Sequence, residues 1–395
     1  MLQNDFINML VESVGEQRAE RIVAALDTEP EVSVRVNPFK LTVGDLREHF
    51  GELAGDPVPW AEDEAFYLKN RASFTLDPLF HAGGYYVQEA GSMYVGKLVR
   101  DIFRLSGRNS GLNVLDLCAA PGGKTTQLLS CLMDAPGTPS RGNRLTANEV
   151  VPSRVAALSE NVAKWGCSGV TVTNNDPSHF AGMSYDIIVV DAPCSGEGMF
   201  RKDIKAQENW SVNNVQLCAA RQRRILSDIW PSLLDGGYMI YSTCTFNRIE
   251  DEQMVEWICS CLGGESLEMR HFYPGENRGE GFFAALIHKS SETGVGDKPS
   301  TAKPGRSLRV FNSLFPMADE ALSVNLPPDR YPKVELSRED ALKFLSKDSL
   351  SFPDMPLGYI LLTYKGLGLG FVKNLGKRAN NLHPMPRRIR QSISK

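Results

Sequence analysis

Leu115-Asp-Leu-Cys-Ala-Ala-Pro-Gly-Gly-Lys-Thr125 decides the fold. It reads as an apolar strand that enters a turn of small residues and then a helix opening near Lys124. In an open parallel sheet, ligands bind beyond the carboxyl ends of the strands, where strand order reverses. Ala119, Ala120, Pro121, Gly122 and Gly123 are small enough to let a ligand reach the backbone, and the helix amides behind them favour polar or anionic groups. Glu149 ends the next predicted strand, where an acid can accept hydrogen bonds from both ribose hydroxyls of a nucleotide-type cofactor. Asp176, past the third strand, is placed to reach an adenine edge. Solvation of a loop explains any single acid equally well, but a set in register on one sheet edge much less so. Gly123-Lys-Thr125 imitates the end of a P-loop, yet that motif needs a glycine where Cys118 stands, and Pro121 interrupts the turn.

Outward from this turn, strand and helix alternate from about Phe74 to Lys289, the pattern of right-handed crossovers that build a parallel sheet. Strands are expected at Asn113–Leu117, Arg144–Glu149, Val170–Asn174, Asp186–Asp191 and Tyr238–Tyr241. Helices are expected at Lys124–Met133, Pro152–Trp165, Val212–Leu234 and Glu250–Cys261. The fold class is α/β, with a Rossmann-like central domain over residues 74–289. Residues 1–73 read as a small α+β unit, with a helical pattern over Phe6–Leu26, a strand over Val32–Asn37 closed by Pro38, and a short helix from near Thr42. Residues 290–305, rich in Ser, Thr, Gly and Pro without periodicity, read as a linker. Residues 306–395 carry the Gly-rich strands Tyr359–Tyr364 and Gly368–Val372, which suggest a small β barrel or β-rich module.

The chain has 395 residues, 42% hydrophobic and 23% charged, enough for two or three domains. No run is long enough to cross a bilayer and no charged-then-apolar leader follows Met1, so a cytoplasmic protein is expected. Eight scattered cysteines do not form the dense pattern of a secreted disulfide scaffold. The net charge of −4 gives no global field that draws in nucleic acid, but Lys365 to Lys395 holds eight Lys or Arg and no acid. Such a block either solvates a tail or touches phosphate.

Two thiols mark the same sheet edge. Tyr185-Asp-Ile-Ile-Val-Val-Asp-Ala-Pro-Cys194 and Gly237-Tyr-Met-Ile-Tyr-Ser-Thr-Cys244 each end an apolar strand at a cysteine. Methylation of a pyrimidine carbon needs such groups. Carbon 5 of cytosine is a poor nucleophile, whereas the methyl of S-adenosylmethionine requires one. Adding a thiolate to carbon 6 turns the ring into an enamine whose carbon 5 attacks, and afterwards a proton and the thiol must leave. If the two strands pair, their backbones lie about 4.8 Å apart and both thiols can face one base. Asp191, on the same strand end as Cys194, can reach N3 and the exocyclic amine. The alternative, cysteine as core filler, suits Cys131, Cys218, Cys259 and Cys261 better, because small polar neighbours surround Cys194 and Cys244. Metal binding is not expected: the six histidines are dispersed and Cys259-x-Cys261 lacks a partner pair.

Asp116–Gln127, Asp191–Lys202 and Tyr241–Glu252 together resemble three motifs of the bacterial Sun family of RNA cytosine-5 methyltransferases, and within it the F-type enzymes of small-subunit ribosomal RNA. Tyr86-Val-Gln-Glu-Ala-Gly-Ser92 resembles a further family segment, so the likeness covers roughly Tyr85 to Lys289. The resemblance implies that Cys244 is the nucleophile, that Cys194 helps break the covalent adduct, and that Asp191 orients the base with Lys124 nearby. It places S-adenosylmethionine on Cys118–Lys124, Glu149, Asp176 and Asp191, with Arg154 close by. It likens the C-terminal extension to a pseudouridine-synthase-and-archaeosine-transglycosylase-like (PUA-like) RNA-binding module, which favours phosphate as the partner of the basic tail. Ile204 and Arg248 stand where the family pattern has prolines, which touches local loop shape rather than chemistry.

A base inside a duplex hides its carbon 6, so a flipped or unpaired cytosine is required, and accessory domains at both ends suit RNA read by shape. The expected substrate is 16S ribosomal RNA or the small subunit, with tRNA the alternative, and the protein is expected to be a monomer. Arg201, Lys202, Arg221, Arg223, Arg224, Arg387, Arg388 and Arg390 are candidate phosphate contacts. A methyltransferase for base amino groups would not need the thiols. A non-catalytic assembly factor would not need both thiols and the cofactor acids, and a small-molecule methyltransferase would leave both flanking units unexplained.

Overall fold

The computed structural model describes residues 2–135, 138, 140–290 and 307–391. Two helices, Asn4–Val14 and Glu16–Leu26, replace the single one expected over Phe6–Leu26. Gly15 separates them at φ +80°, a backbone conformation that glycine takes without a steric cost. Strands β1 (Val32–Val36), β2 (Ala54–Pro57), β3 (Ala65–Leu68) and β4 (Tyr85–Val87) form a sheet in the order β2-β3-β1-β4. Thr42 caps the intervening helix Val43–Phe50 in a reciprocal bond with Asp45. β4 pairs with β1, Val34 opposite Val87, so this sheet draws on residues past the division expected at residue 73.

The central sheet contains β5 (Asn113–Asp116), β6 (Arg144–Asn148), β7 (Val170–Thr173), β8 (Tyr185–Asp191), β9 (Leu233–Thr243), β10 (Gly264–Phe272) and β11 (Phe282–Lys289). Their order is β10-β11-β9-β8-β5-β6-β7. The five strands from β9 to β7 run parallel, whereas β11 lies antiparallel to β9 and to β10, so one edge departs from the expected all-parallel sheet. Alternation explains why β8 is apolar throughout. Ile188 and Val190 join Leu115, Met239 and Tyr241 on one face, while Ile187 and Val189 join Val114 and Ile240 on the other. The expected helix Val212–Leu234 ends at Ile229, where Trp230-Pro231-Ser232 tightens into a 3₁₀ turn and β9 begins at Leu233. Proline at 231 cannot supply the amide that a continuing helix needs. The helix expected over Glu250–Cys261 runs Glu252–Trp257 and continues as a wider turn over Ile258–Leu262.

The C-terminal unit orders β12 (Lys333–Glu335), β13 (Gly358–Tyr364), β14 (Leu367–Asn374) and β15 (Ala379–Asn381) in sequence. Its apolar side, including Leu342, Phe344 and Ile360, shares one buried cluster with Val34 and Phe66 of the N-terminal sheet. The two accessory units are thereby packed against each other. Of the expected linker, residues 291–305 lie outside the described residues. Beyond them Val310 bridges Thr173 at the edge of β7.

Candidate active site

The carboxyl ends of β5, β8 and β9 open onto a cavity of about 410 Å³. Its wall includes Cys118, Ala119, Ala120, Pro121, Gly123 and Lys124 from the turn after β5, with Asp191 and Cys244 from beyond β8 and β9. Opposite stand Tyr86, Gln88, Glu89 and Ser92, together with Lys202, Glu280 and Phe282. Lys124 sits at the start of helix Gly123–Leu132 and pairs with Asp191 at 2.8 Å. Burial alone would depress its ammonium, but Asp191 outweighs that and the net shift is upward. The Lys124 ammonium also lies 4.9 Å from the centre of the Phe282 ring. Ser242, opposite Asp191 in the β8–β9 register, donates to its carboxylate at 2.8 Å. Asp191 therefore has both a cation and a hydroxyl to fix its direction.

The parallel pairing of β8 and β9 brings the two thiols together. Cys194 and Cys244 have their sulfurs 3.2 Å apart, and the Cys244 backbone N–H donates to Cys194 Sγ at 3.3 Å. Cys244 lies on the cavity wall, with Cys194 directly behind it. The contact with Cys244, then burial, raises the Cys194 thiol above the usual range. Either sulfur can donate in this contact. Gly198 lets the loop after Cys194 pack closely on the backbone of Cys244: its N–H donates to the Cys244 carbonyl at 2.9 Å, and a Cβ there would stand 2.5 Å from the Gly281 carbonyl oxygen and 3.1 Å from that of Cys244.

Glu149 and Arg154 lie beside the turn rather than on the cavity wall. Arg154 donates to the Ala120 carbonyl at 2.6 Å and approaches Glu149 at 3.5 Å, bracing the loop from outside. Asp176 caps the turn Pro177–Phe180 through the Ser178 amide and pairs with Arg224 at 3.4 Å. Gly122, at φ +113°, starts the helix without facing the cavity. Burial pushes the Cys118 thiol well up, so it lines the site as a neutral group. Sequence reasoning missed Gln88, Glu89 and Glu280 as wall residues. The signal present was the acidic, glycine-rich run Gly275–Gly281 next to β11.

Four phosphate candidates are paired with acids: Arg201 with Glu280 at 2.7 Å, Arg224 with Asp176 at 3.4 Å, Arg387 with Asp319 at 2.6 Å and Lys202 with Glu280 at 3.4 Å. Of these, Lys202 lies on the cavity wall. One carboxylate–imidazole group occurs among the described residues, Asp251, Glu252 and His271. The acids approach opposite ring nitrogens, Asp251 at 3.9 Å from Nδ1 and Glu252 at 3.1 Å from Nε2.

A Rossmann-like sheet whose strand ends gather a small-residue turn, a lysine–aspartate pair and two touching thiols defines a methyltransferase domain, flanked by an N-terminal unit and a C-terminal PUA domain. Three successive segments match family models: residues 2–90 the N-terminal domain of 16S rRNA methyltransferase RsmF, residues 104–288 the 16S rRNA methyltransferase RsmB/F, and residues 331–389 the methyltransferase RsmF PUA domain. Each of the three segments is thus similar to an RsmF or RsmB/F methyltransferase, and no single model spans half of the chain. It is 33% identical over 317 residues to ribosomal RNA small subunit methyltransferase F of Photobacterium profundum, covering 73% of this chain and 64% of that protein. It is 36% identical over 303 residues to the protein of that name from Aliivibrio salmonicida, covering 69% and 61%. The chain thus spans less than two thirds of the length of these curated relatives. Among solved structures, a methyltransferase homologue from Pyrococcus horikoshii superposes with a TM-score of 0.60 at 28% identity, covering 72% of this chain and 94% of that one. NSun6 from the same organism, solved with SFG, shares the fold at 18% identity, with a TM-score of 0.61 over 73% of this chain and 98% of that one. Among the described residues no helix is long and apolar enough to cross a membrane.

Proposed function

We propose that this protein transfers a methyl group from S-adenosylmethionine to carbon 5 of a cytosine in 16S ribosomal RNA, through a covalent bond between Cys244 and carbon 6. The observation that carries the reading is the contact of two sulfurs at 3.2 Å on the wall of the cavity lined by the Cys118–Lys124 turn. The residues fit the donor: a cavity of about 410 Å³ holds a nucleoside-sized ligand, and the turn presents backbone at the start of a helix. Cys118–Lys124 and Asp191 would hold it, with Glu149, Arg154 and Asp176 shaping the adjoining rim. When bound, S-adenosylmethionine supplies an electrophilic methyl group.

The chain's own residues do the rest. Cys244 Sγ attacks carbon 6, and the displaced pair makes carbon 5 nucleophilic. Asp191, fixed by Lys124 and Ser242, holds N3 and the exocyclic amine and stabilises the adduct. After transfer, the carbon 5 hydrogen leaves as a proton to solvent and its bonding pair re-forms the carbon 5–carbon 6 double bond as the carbon 6–sulfur bond breaks, that bond's pair returning to Cys244, where the Cys194 thiol donates to the departing sulfur. The homologues' names and the PUA domain support small-subunit RNA as partner, and ribosomal RNA modification fits a cytoplasmic enzyme. Purified protein, S-adenosylmethionine and 16S RNA should yield 5-methylcytosine, and Cys244→Ala should abolish it. Full activity in that variant refutes the nucleophile.

A further inference from the structure

Behind the thiols lies a polar cluster that the reaction as described does not use. Glu197 and Glu250 are 1% and 0% exposed, and neither has a cation within ion-pair distance among the described residues. Isolated buried carboxylates are costly, so their hydrogen bonds must compensate. Glu250 accepts from the Ser195 amide at 3.0 Å, from Gln222 at 2.8 Å and from Asn247 at 2.9 Å. Glu197 accepts from the Phe246 amide at 2.6 Å, the Thr245 hydroxyl at 2.5 Å and the same Asn247 amide at 2.9 Å. Ser195 directly follows Cys194, and Thr245 directly follows Cys244. Each acid therefore belongs to one loop and grips the backbone of the other. Gln222 ties the same knot to Pro193, donating to its carbonyl at 3.1 Å.

We propose that Glu250, with Glu197 as its counterpart, is a positioning residue that holds Cys194 against Cys244 for release of the methylated base. The inference rests on the covalent mechanism above. Its electron balance is that of the release step: the carbon 6–sulfur bond breaks toward Cys244 as the carbon 5 proton leaves. Cys194 contributes only a hydrogen bond to the departing sulfur, which requires the short sulfur–sulfur contact. The groups facing Glu250 are Glu197, Asp251, Cys194, Cys218 and the Tyr241 hydroxyl, all acidic or neutral. Burial pushes Glu250 up to about 7, so its hold on the loop changes near neutrality.

The test incubates the full chain with S-adenosylmethionine and transcribed 16S RNA, then resolves protein–RNA adduct on a denaturing gel. Replacement by glutamine puts an amide donor where Glu250 meets only donors, so the Ser195 loop should shift. In Glu250→Gln, turnover should fall at least about tenfold while adduct accumulates, with donor affinity within about twofold of the parent. Cys194→Ala should trap the same adduct. A merely structural role would lower adduct and donor binding together. If Cys194→Ala traps adduct but Glu250→Gln turns over without it, the positioning role is overturned and the chemistry stands. If neither Cys194→Ala nor the parent forms adduct, the covalent reading itself falls. Should Glu250→Gln fail to bind donor, Thr245→Val decides: with little change in shape it removes the hydroxyl that bonds Glu197, Asn247 and Ser195, and wild-type release in that variant overturns the proposal.

Discussion

Replacing Arg35 with methionine tests whether the N-terminal unit is part of the cavity wall or only an appendage. Arg35 is fully buried in β1 and has no carboxylate within ion-pair distance among the described residues. Its guanidinium donates to Gln88 Oε1 at 2.8 Å, Thr126 Oγ1 at 2.7 Å and the Gly123 carbonyl at 3.2 Å, and lies 4.6 Å from the Trp165 ring centre. Gln88 lines the cavity and Gly123 ends its turn, so one side chain sets both walls. Gly123 keeps the Thr126 hydroxyl as a donor, so two buried acceptors, Gln88 Oε1 and Thr126 Oγ1, are left without donors at about 1.5 kcal/mol each, and the lost ring contact costs about 1 more. Relief of a desolvated cation offsets part of this, leaving a net loss of roughly 2–4 kcal/mol. A urea titration should show that loss as an earlier midpoint, and equilibrium dialysis should show weaker S-adenosylmethionine binding. Arg35→Lys keeps the charge but not the fork, and should recover only part. A stability loss below about 1 kcal/mol with unchanged donor affinity would show that desolvation cancels the bonds and refute the coupling.

Asp116 gives a pH prediction. Burial pushes its carboxyl up to about 7, above the ordinary value near 4 that it regains on unfolding. The fold is therefore favoured while Asp116 is neutral and loses stability as pH rises from about 4 to 7, by at most roughly 4 kcal/mol. Asp116→Asn should flatten that part of the stability–pH curve, and an unaltered curve counts against the assignment. Gly198→Ala should force the Gly281 and Cys244 carbonyls apart. Adduct yield should then drop about tenfold with donor affinity kept, and normal yield would mean the loops are not closely packed. Lys202→Met should raise the KM for RNA and lower the slope of log affinity against log salt by about one, if its ammonium meets one phosphate. An unchanged slope removes Lys202 from the RNA path.

The catalytic sheet was legible because its strands are buried on both faces. Ile187–Val190 is a continuous apolar run, as expected of a central parallel strand buried on both faces. The thiols were legible for a related reason, since each follows such a strand with small polar residues, which belong at a mouth. β10 was not, because it sits at the sheet edge with Glu265, Leu267 and Met269 outward, so its alternation carries no clear apolar face. The helix Tyr94–Ser106 was also unassigned, although its buried side, Val95, Leu98, Val99 and Ile102, has helical spacing. Nothing local reveals the burial of Glu197 and Glu250. Each looks like a solvated loop acid, and the donors that satisfy it arrive largely from about 50 residues away.

The placement of these acids bears on what the site is optimised for. Asp116, Glu197 and Glu250 are buried around the thiols and the turn, none of them with an ion-pair partner among the described residues. Well-packed apolar side chains of similar volume in those places would often be neutral or stabilising. A carboxylate, however, can accept several N–H and O–H bonds at once, which an apolar side chain cannot. Glu197 and Glu250 spend that capacity on loop backbone beside the two cysteines, where a shift of even an ångström separates the sulfurs. Stability is given up where loop geometry must be fixed. It follows that Glu250→Gln should cost far more in product release than in unfolding free energy, and Arg35→Met the reverse.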